Sequence, residues 1–182
     1  SVDTFHHSVA EKVLNIGANL VNDVSGGRHD PEIYNVIADK GSSYVLTHSR
    51  GNSKTMDSLA IYSNVVQDVK NELSNQIDLA LSKGIKEEQI IIDPGIGFAK
   101  NVDQNLTLLR NLEEFVSMNY PVLIGASRKR FIGSVINESD PTKRIFGTAA
   151  VAARCVTAGV DILRVHDIKQ ISQVVIMTKS IN

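Results

Sequence analysis

Tryptophan is absent, cysteine occurs once and proline only four times in 182 residues. The single Cys155 excludes a disulfide framework within the chain, and among Ala152, Ala153 and Val156 it reads as an inert buried thiol rather than a nucleophile. Charge of one sign is missing too. Lysine plus arginine number 19 against 20 aspartates and glutamates, so no global field draws nucleic acid or an anionic membrane, and any phosphate binding must be local. No apolar run approaches the ~20 residues of a membrane span, and the start lacks a basic-then-apolar signal pattern. A soluble intracellular protein is expected, cytoplasmic or in an organelle. Also absent are a His-Glu-x-x-His pair of metal ligands, a Gly-x-Ser-x-Gly nucleophile elbow and a Walker lysine loop.

What is present is a core-forming composition, 42% hydrophobic, enough for one domain spanning residues 1–182. Short β-branched runs alternate with stretches of helical period, the pattern of βα units around a parallel sheet. Strands are expected at 1–4, 19–24, 43–48, 89–93, 122–125 and 161–165. Helices are expected at 7–16, 31–39, 59–82, 103–116, 131–136, 144–157 and 168–179. Gly17 and Gly41 punctuate two helix ends, and Asp30 before Pro31 reads as an N-cap. Ile90-Ile91-Ile92 and Val122-Leu123-Ile124 lack polar alternation, as strands covered on both faces do. Asp3, Asn22, His48, Asp93, Ser127 and His166 each follow or end a different strand. Many strands feeding one mouth favour a TIM-type (β/α)8 barrel over a doubly wound sheet, here incomplete with about six parallel strands.

Three strand ends carry the chemistry. Asp93-Pro94-Gly95-Ile96-Gly97-Phe98 sets a carboxylate before a turn with two glycines; such a carboxylate can accept two parallel N–H bonds from a flat heterocycle on which Phe98 stacks. A helix-capping aspartate in an ordinary loop is the plain alternative. Lys100 stands where a dinucleotide fingerprint needs its third glycine. Ser127-Arg128-Lys129-Arg130 puts three cations directly after a strand, where a solvated basic face is the competing reading. In Arg164-Val165-His166, alternation puts Arg164 and His166 on one side, suited to gripping a diphosphate or to an ordinary ion pair. His48 has no metal-ligating partners in the sequence, and His6, His7 and His29 are expected at the surface.

Taken in order and spacing, Ser1-Val2-Asp3-Thr4, Val21-Asn22-Asp23-Val24-Ser25, the 93–98 motif, Ser127-Arg128-Lys129-Arg130-Phe131-Ile132-Gly133 and Arg164-Val165-His166-Asp167 resemble the dihydropteroate synthase family. The 51–56 segment adds to the likeness. The resemblance implies a sulfonamide-target enzyme of folate biosynthesis that condenses a pterin diphosphate with 4-aminobenzoate. It implies that Asp93 takes the pterin amino-amidine edge, Asn22 bonds the ring nitrogens and Asp3 lies beside the reduced ring. Lys129 would reach the pterin carbonyl side, and Gly97 and Gly125 would let backbone close on the ring. Phe98 would pack near 4-aminobenzoate, while Arg164 and His166 would hold the diphosphate. Thr47 stands where bacterial relatives often carry methionine, and Arg130 where many carry serine.

By the same resemblance, two βα units and a Mg2+ bound through the diphosphate and that front part are expected ahead of Ser1. Weak pterin binding and little turnover are the expectation for a chain without them. Partners are small molecules, with no nucleic acid or membrane. A homodimer through the last helices is expected, with Ala149, Ala150, Ala152 and Ala153 allowing close packing. Pterin-binding methyltransferases share the barrel and the Asp-Asn grip, but Ser-Arg-Lys-Arg and Arg-Val-His argue against them. A non-catalytic pterin-binding fragment is the third reading.

Overall fold

Each β-branched run of the sequence becomes a short parallel strand in the computed structural model, which describes residues 1–182. The strands are β1 Val2–Asp3, β2 Leu20–Asp23, β3 Ser43–Thr47, β4 Ile90–Asp93, β5 Leu123–Ile124 and β6 Ile162–Leu163. β1 to β4 pair in chain order, β5 pairs with β6, and all pairings are parallel. A bridge between Ile92 and Val122, with Ile92 N–H donating to the Pro121 carbonyl at 2.9 Å, joins the two groups into one arc. The arc is an incomplete (β/α) barrel, six strands where a closed one has eight.

Alternation sorts the side chains. Val21, Tyr44, Leu46, Ile90, Ile92, Val122 and Ile124 point outward into the main core beneath the helices. Val45, Ile91 and Leu123 point inward and form a second, small core with Leu20 and Ile162. Two residues further along the same inward rows stand Asn22, Thr47, Asp93, Gly125 and Arg164. The barrel interior thus has an apolar level and, above it at the C-terminal strand ends, a polar one. The outer core carries the stability: truncating a side chain as buried as Ile92 to alanine costs ~2–5 kcal/mol.

The helices are α1 His7–Asn15, α2 Ile33–Lys40, α3 Val65–Ser82, α4 Val102–Arg110, α5 Glu113–Val116, α6 Arg130–Ile136, α7 Ile145–Thr157 and α8 Ile168–Ile181. Three of them depart from the sequence expectation. α3 begins at Val65 rather than near 59, because the Asn64 side chain caps it by accepting from Val66 and Gln67 N–H, and 56–59 forms a separate 3-10 turn. The expected 103–116 helix breaks at Asn111, although Leu109, Leu112 and Phe115 stay buried across the break. Asp30 does not cap α2, whose N-cap is Glu32. Its carboxylate instead accepts from His7 N–H at 2.9 Å and pairs with His7 Nδ1 at 2.7 Å, so it serves the open N-terminus of α1 across the barrel edge. Gly41 does end α2 in the left-handed conformation, at φ 62°.

No helix is long and apolar enough to cross a membrane.

Candidate active site

The β4 strand delivers Asp93 to the rim at 5% exposure, and Gly95 N–H donates to its Oδ1 at 2.7 Å. The other carboxylate oxygen makes no hydrogen bond within the chain. Burial pushes the Asp93 carboxyl up, against the opposing pull of Lys129, the Gly95 N–H, Lys100 and Arg164. Of these only the Gly95 N–H touches the carboxylate, and the three cations act on it through space.

The turn after Asp93 is built for close approach. Gly95 has φ +70°, and a Cβ there would overlap the His48 carbonyl. Gly97 has φ +83°, and a Cβ would stand 2.7 Å from Lys129 Cδ. The room left by Gly97 is taken by the Lys129 stem, whose ammonium donates to the Ile96 carbonyl and sits 4.2 Å from the Phe98 ring centroid. Burial lowers Lys129 to about 8, with Asp93 acting in the other direction.

The basic triplet is split three ways. Arg128, at φ 59°, turns back to Asp167, with Nε 3.0 Å from Oδ2. Lys129 points in, and Arg130 points out to an exposed pairing with Asp57 at 2.9 Å. The left-handed residue ahead of Lys129 helps send successive cations in different directions.

On the first two strands, Asn22 donates to Asp3 Oδ1 at 2.9 Å, while its own amide oxygen is buried without a partner. Thr47 Oγ1 is likewise buried and unpartnered. Arg164 reaches across from β6 to Asp3, so the last strand and the first are tied at the rim. Asp3, Asn22, Leu20, Leu123, Ile162 and Arg164 line a cavity of about 400 Å³ there. His166 Nδ1 lies 2.9 Å from Ser127 Oγ, which fixes its ring beside the Lys129 loop. Gly125 is close to Arg164, but a Cβ would meet it only at an ordinary 3.9 Å.

The structure places Asp93, Lys129, Phe98, Gly97 and Arg164 at the C-terminal strand ends, where Gly97 and Lys129 line one cavity and Asp3, Asn22 and Arg164 another. Asn22 and Asp3 stand on the same interior, His166 flanks it, and Arg130 faces outward. Packed against the 95–98 turn lies a group to which sequence reading gave no role. Lys100 and His48 are almost fully buried, and their partner Glu72 projects from α3. The one available signal was a lysine directly after a glycine-rich strand-end turn, noted only as a missing glycine. Asp23 was also overlooked; its buried carboxylate accepts from Tyr44 Oη at 2.6 Å, Ser25 N–H at 2.7 Å and Gly27 N–H at 2.8 Å, shaping the β2 loop. Cys155 is buried and pushed up to about 12, first by that burial, consistent with an inert thiol.

A parallel α/β barrel whose strand C-termini carry a buried carboxylate, an amide with an unpartnered oxygen and two cations belongs to the class of barrels that present polar groups to small molecules there. The family described as "Pterin binding enzyme" matches residues 1–166, and the chain belongs to it. Among its relatives is the dihydropteroate synthase of Synechocystis sp., 44% identical over 174 residues, covering 96% of this chain and 60% of the relative. The folic acid synthesis protein fol1 of Pneumocystis carinii is 40% identical over 186 residues, all of this chain and 25% of that protein. The solved dihydropteroate synthase of Thermus thermophilus in complex with 4-aminobenzoate superposes with a TM-score of 0.94 at 39% identity, covering 100% of this chain and 70% of that one. The chain therefore spans 60% or less of the length of these two curated relatives.

Proposed function

We propose that this chain supplies the pterin site and most of the charged groups of a dihydropteroate synthase, joining 6-hydroxymethyl-7,8-dihydropterin diphosphate to 4-aminobenzoate with release of diphosphate. One observation carries the reading: a buried aspartate with an open carboxylate oxygen, set among Lys129, Lys100 and Arg164 at a barrel rim. A cationic or N–H-rich flat ring answers that arrangement. Asp93 takes the amino-amidine edge, and the unpaired Asn22 oxygen accepts a ring N–H.

The C–O bond between the pterin methylene and the diphosphate breaks with its electron pair leaving on diphosphate. The ring nitrogens delocalise the resulting methylene cation, the arylamine lone pair forms the new C–N bond, and the amine proton departs to solvent. No side-chain nucleophile is needed. Asp93 and Asp3 put negative potential beside the developing cation. Arg164 exchanges Asp3 for the departing diphosphate, and His166 flanks it. Phe98, under the Lys129 ammonium, offers a ring face to the arylamine. No group of three or more His, Cys, Asp or Glu side chains in the chain converges as a metal site. The residues present thus do not by themselves make a home for Mg2+, and no step here is drawn through that ion.

The test is calorimetry with dihydropterin alcohol beside its diphosphate, together with an assay of diphosphate release on adding 4-aminobenzoate. The diphosphate is expected to bind at least ~10-fold tighter, as one to two charge-assisted bonds provide. Equal affinity for the two pterins would remove Arg164 and His166 from their roles and favour a pterin-binding methyltransferase. The exposed apolar residues Phe146, Ile176 and Met177 of α7 and α8 support pairing of two copies there, whereas Ala152 is spent on internal packing. Sedimentation at micromolar concentration decides between dimer and monomer.

A further inference from the structure

Lys100 is 5% exposed, and no carboxylate contacts its ammonium. Its three protons go to the Gly95 carbonyl at 3.0 Å, the Phe98 carbonyl at 2.9 Å and His48 Nδ1 at 2.9 Å. A polar group buried this deeply needs each of its hydrogen-bonding positions answered, and all three are. Glu72 is ionised, held down to about 2, and a carboxylate only accepts, so the proton of the neutral His48 ring sits on Nε2 and Nδ1 is left as the acceptor for Lys100. There it donates to Glu72 at 2.9 Å, and Glu72 is held in turn by Arg50, whose guanidinium lies 3.9 Å over the Tyr62 ring. Burial, with Lys100 alongside and against the Glu72 bond, lowers His48 to about 4, in keeping with a neutral ring.

The two carbonyls that Lys100 grips bracket the turn carrying the site. Gly95 N–H holds Asp93, the Ile96 carbonyl takes Lys129, Gly97 makes room for the Lys129 stem, and the Phe98 ring lies under the Lys129 ammonium. We propose that Lys100, aimed by the neutral His48–Glu72–Arg50 chain, is a positioning residue that fixes the 95–98 turn and thereby the geometry of Asp93, Lys129 and Phe98 toward the pterin. This rests on the pterin reading above for its ligand, but not for its effect on the turn.

The experiment compares Lys100→Met, His48→Leu and His48→Asn with the unsubstituted chain. Methionine keeps the length of the stem and drops all three bonds; asparagine keeps an acceptor near the Nδ1 position, and leucine removes it. Amide exchange of residues 95–99, measured without ligand, is expected to quicken ~10-fold or more in Lys100→Met and His48→Leu and to stay near the original rate in His48→Asn. Affinity for 6-hydroxymethyl-7,8-dihydropterin diphosphate should fall ~10- to 100-fold in the first two and less than ~3-fold in the third. That rescue separates positioning from mere filling of space.

Turn exchange and pterin affinity both unchanged in Lys100→Met would overturn the proposal, as would a His48→Asn loss equal to that of His48→Leu. If Lys100→Met does not fold, the two His48 variants decide by the same criteria. A chain whose turn responds as expected but which never binds the pterin diphosphate upholds the positioning role and refutes the pterin reading.

Discussion

Replacing Asp93 by asparagine separates what the site does from what the fold needs. The change is nearly isosteric, and the amide oxygen can still accept from Gly95 N–H, 2.7 Å from Oδ1 in the present structure. The second oxygen, which makes no bond in the chain, becomes an NH2 facing the ligand. A paired acceptor for two ring N–H groups turns into a donor opposed to donors. The lost charge-assisted bond and the stranded ligand hydrogen together cost ~2–4 kcal/mol of pterin binding, on the order of 30- to 1000-fold in Kd.

Stability should move the other way. Burial raises the Asp93 carboxyl, so the folded state disfavours the ionised form at pH 7 despite Lys129 and Arg164. A neutral isostere relieves that cost, and the melting temperature of Asp93→Asn is expected to rise. Calorimetry with 6-hydroxymethyl-7,8-dihydropterin diphosphate and a thermal melt, on the same preparation, read both quantities. Unchanged pterin affinity, or a lower melting temperature beside it, would refute the assignment of Asp93 as a ligand-facing and self-destabilising group.

Gly97→Ala should destabilise the fold by ~1–3 kcal/mol, since it combines φ +83° with a contact at 2.7 Å on Lys129 Cδ, and a denaturant titration gives the figure. Stability should rise with pH in two windows, followed by melts from pH 4 to 10. The unfolded chain protonates His48 near 6.5 but the folded one only near 4, so of order 3 kcal/mol is present above pH 6.5 and lost as pH falls toward 4. Lys100, lowered from 10.5 to about 7 first by burial, adds stability as pH climbs through that interval because only the unfolded chain keeps the proton. His48→Asn should flatten the lower window. Arg130→Ala should leave the melting temperature unchanged, because the Arg130–Asp57 pair is exposed on both sides; a marked drop would show that Arg130 packs more tightly than its exposure allows.

All six strands are legible in the sequence because runs such as Ile90-Ile91-Ile92 have no polar alternation, and only their ends differ by a residue or two. The rim residues are legible for a related reason: a polar residue closing an apolar run must face either ligand or water. Helix starts are harder. Residues 59–64 keep a helical apolar spacing, and only the Asn64 cap, a local hydrogen-bond choice, moves the start to Val65. Asp30 has an ideal capping sequence for α2 and is recruited by the open N–H groups of α1, 23 positions earlier, which no local pattern reports. The same limit hides Lys100: a lysine reads as surface until the acceptors His48, Gly95 and Phe98 are seen to close over it.

The two-storey lining of the barrel sets how such a site can diverge. Leucine, valine and isoleucine at the lower storey act as a foundation supplied by β2 to β6, while the polar residues stand one storey higher. Replacements there exchange recognition without undermining the footing. Thr47, whose hydroxyl is enclosed and unanswered, is the upper-storey position at which losing that hydroxyl would break no hydrogen bond within the chain.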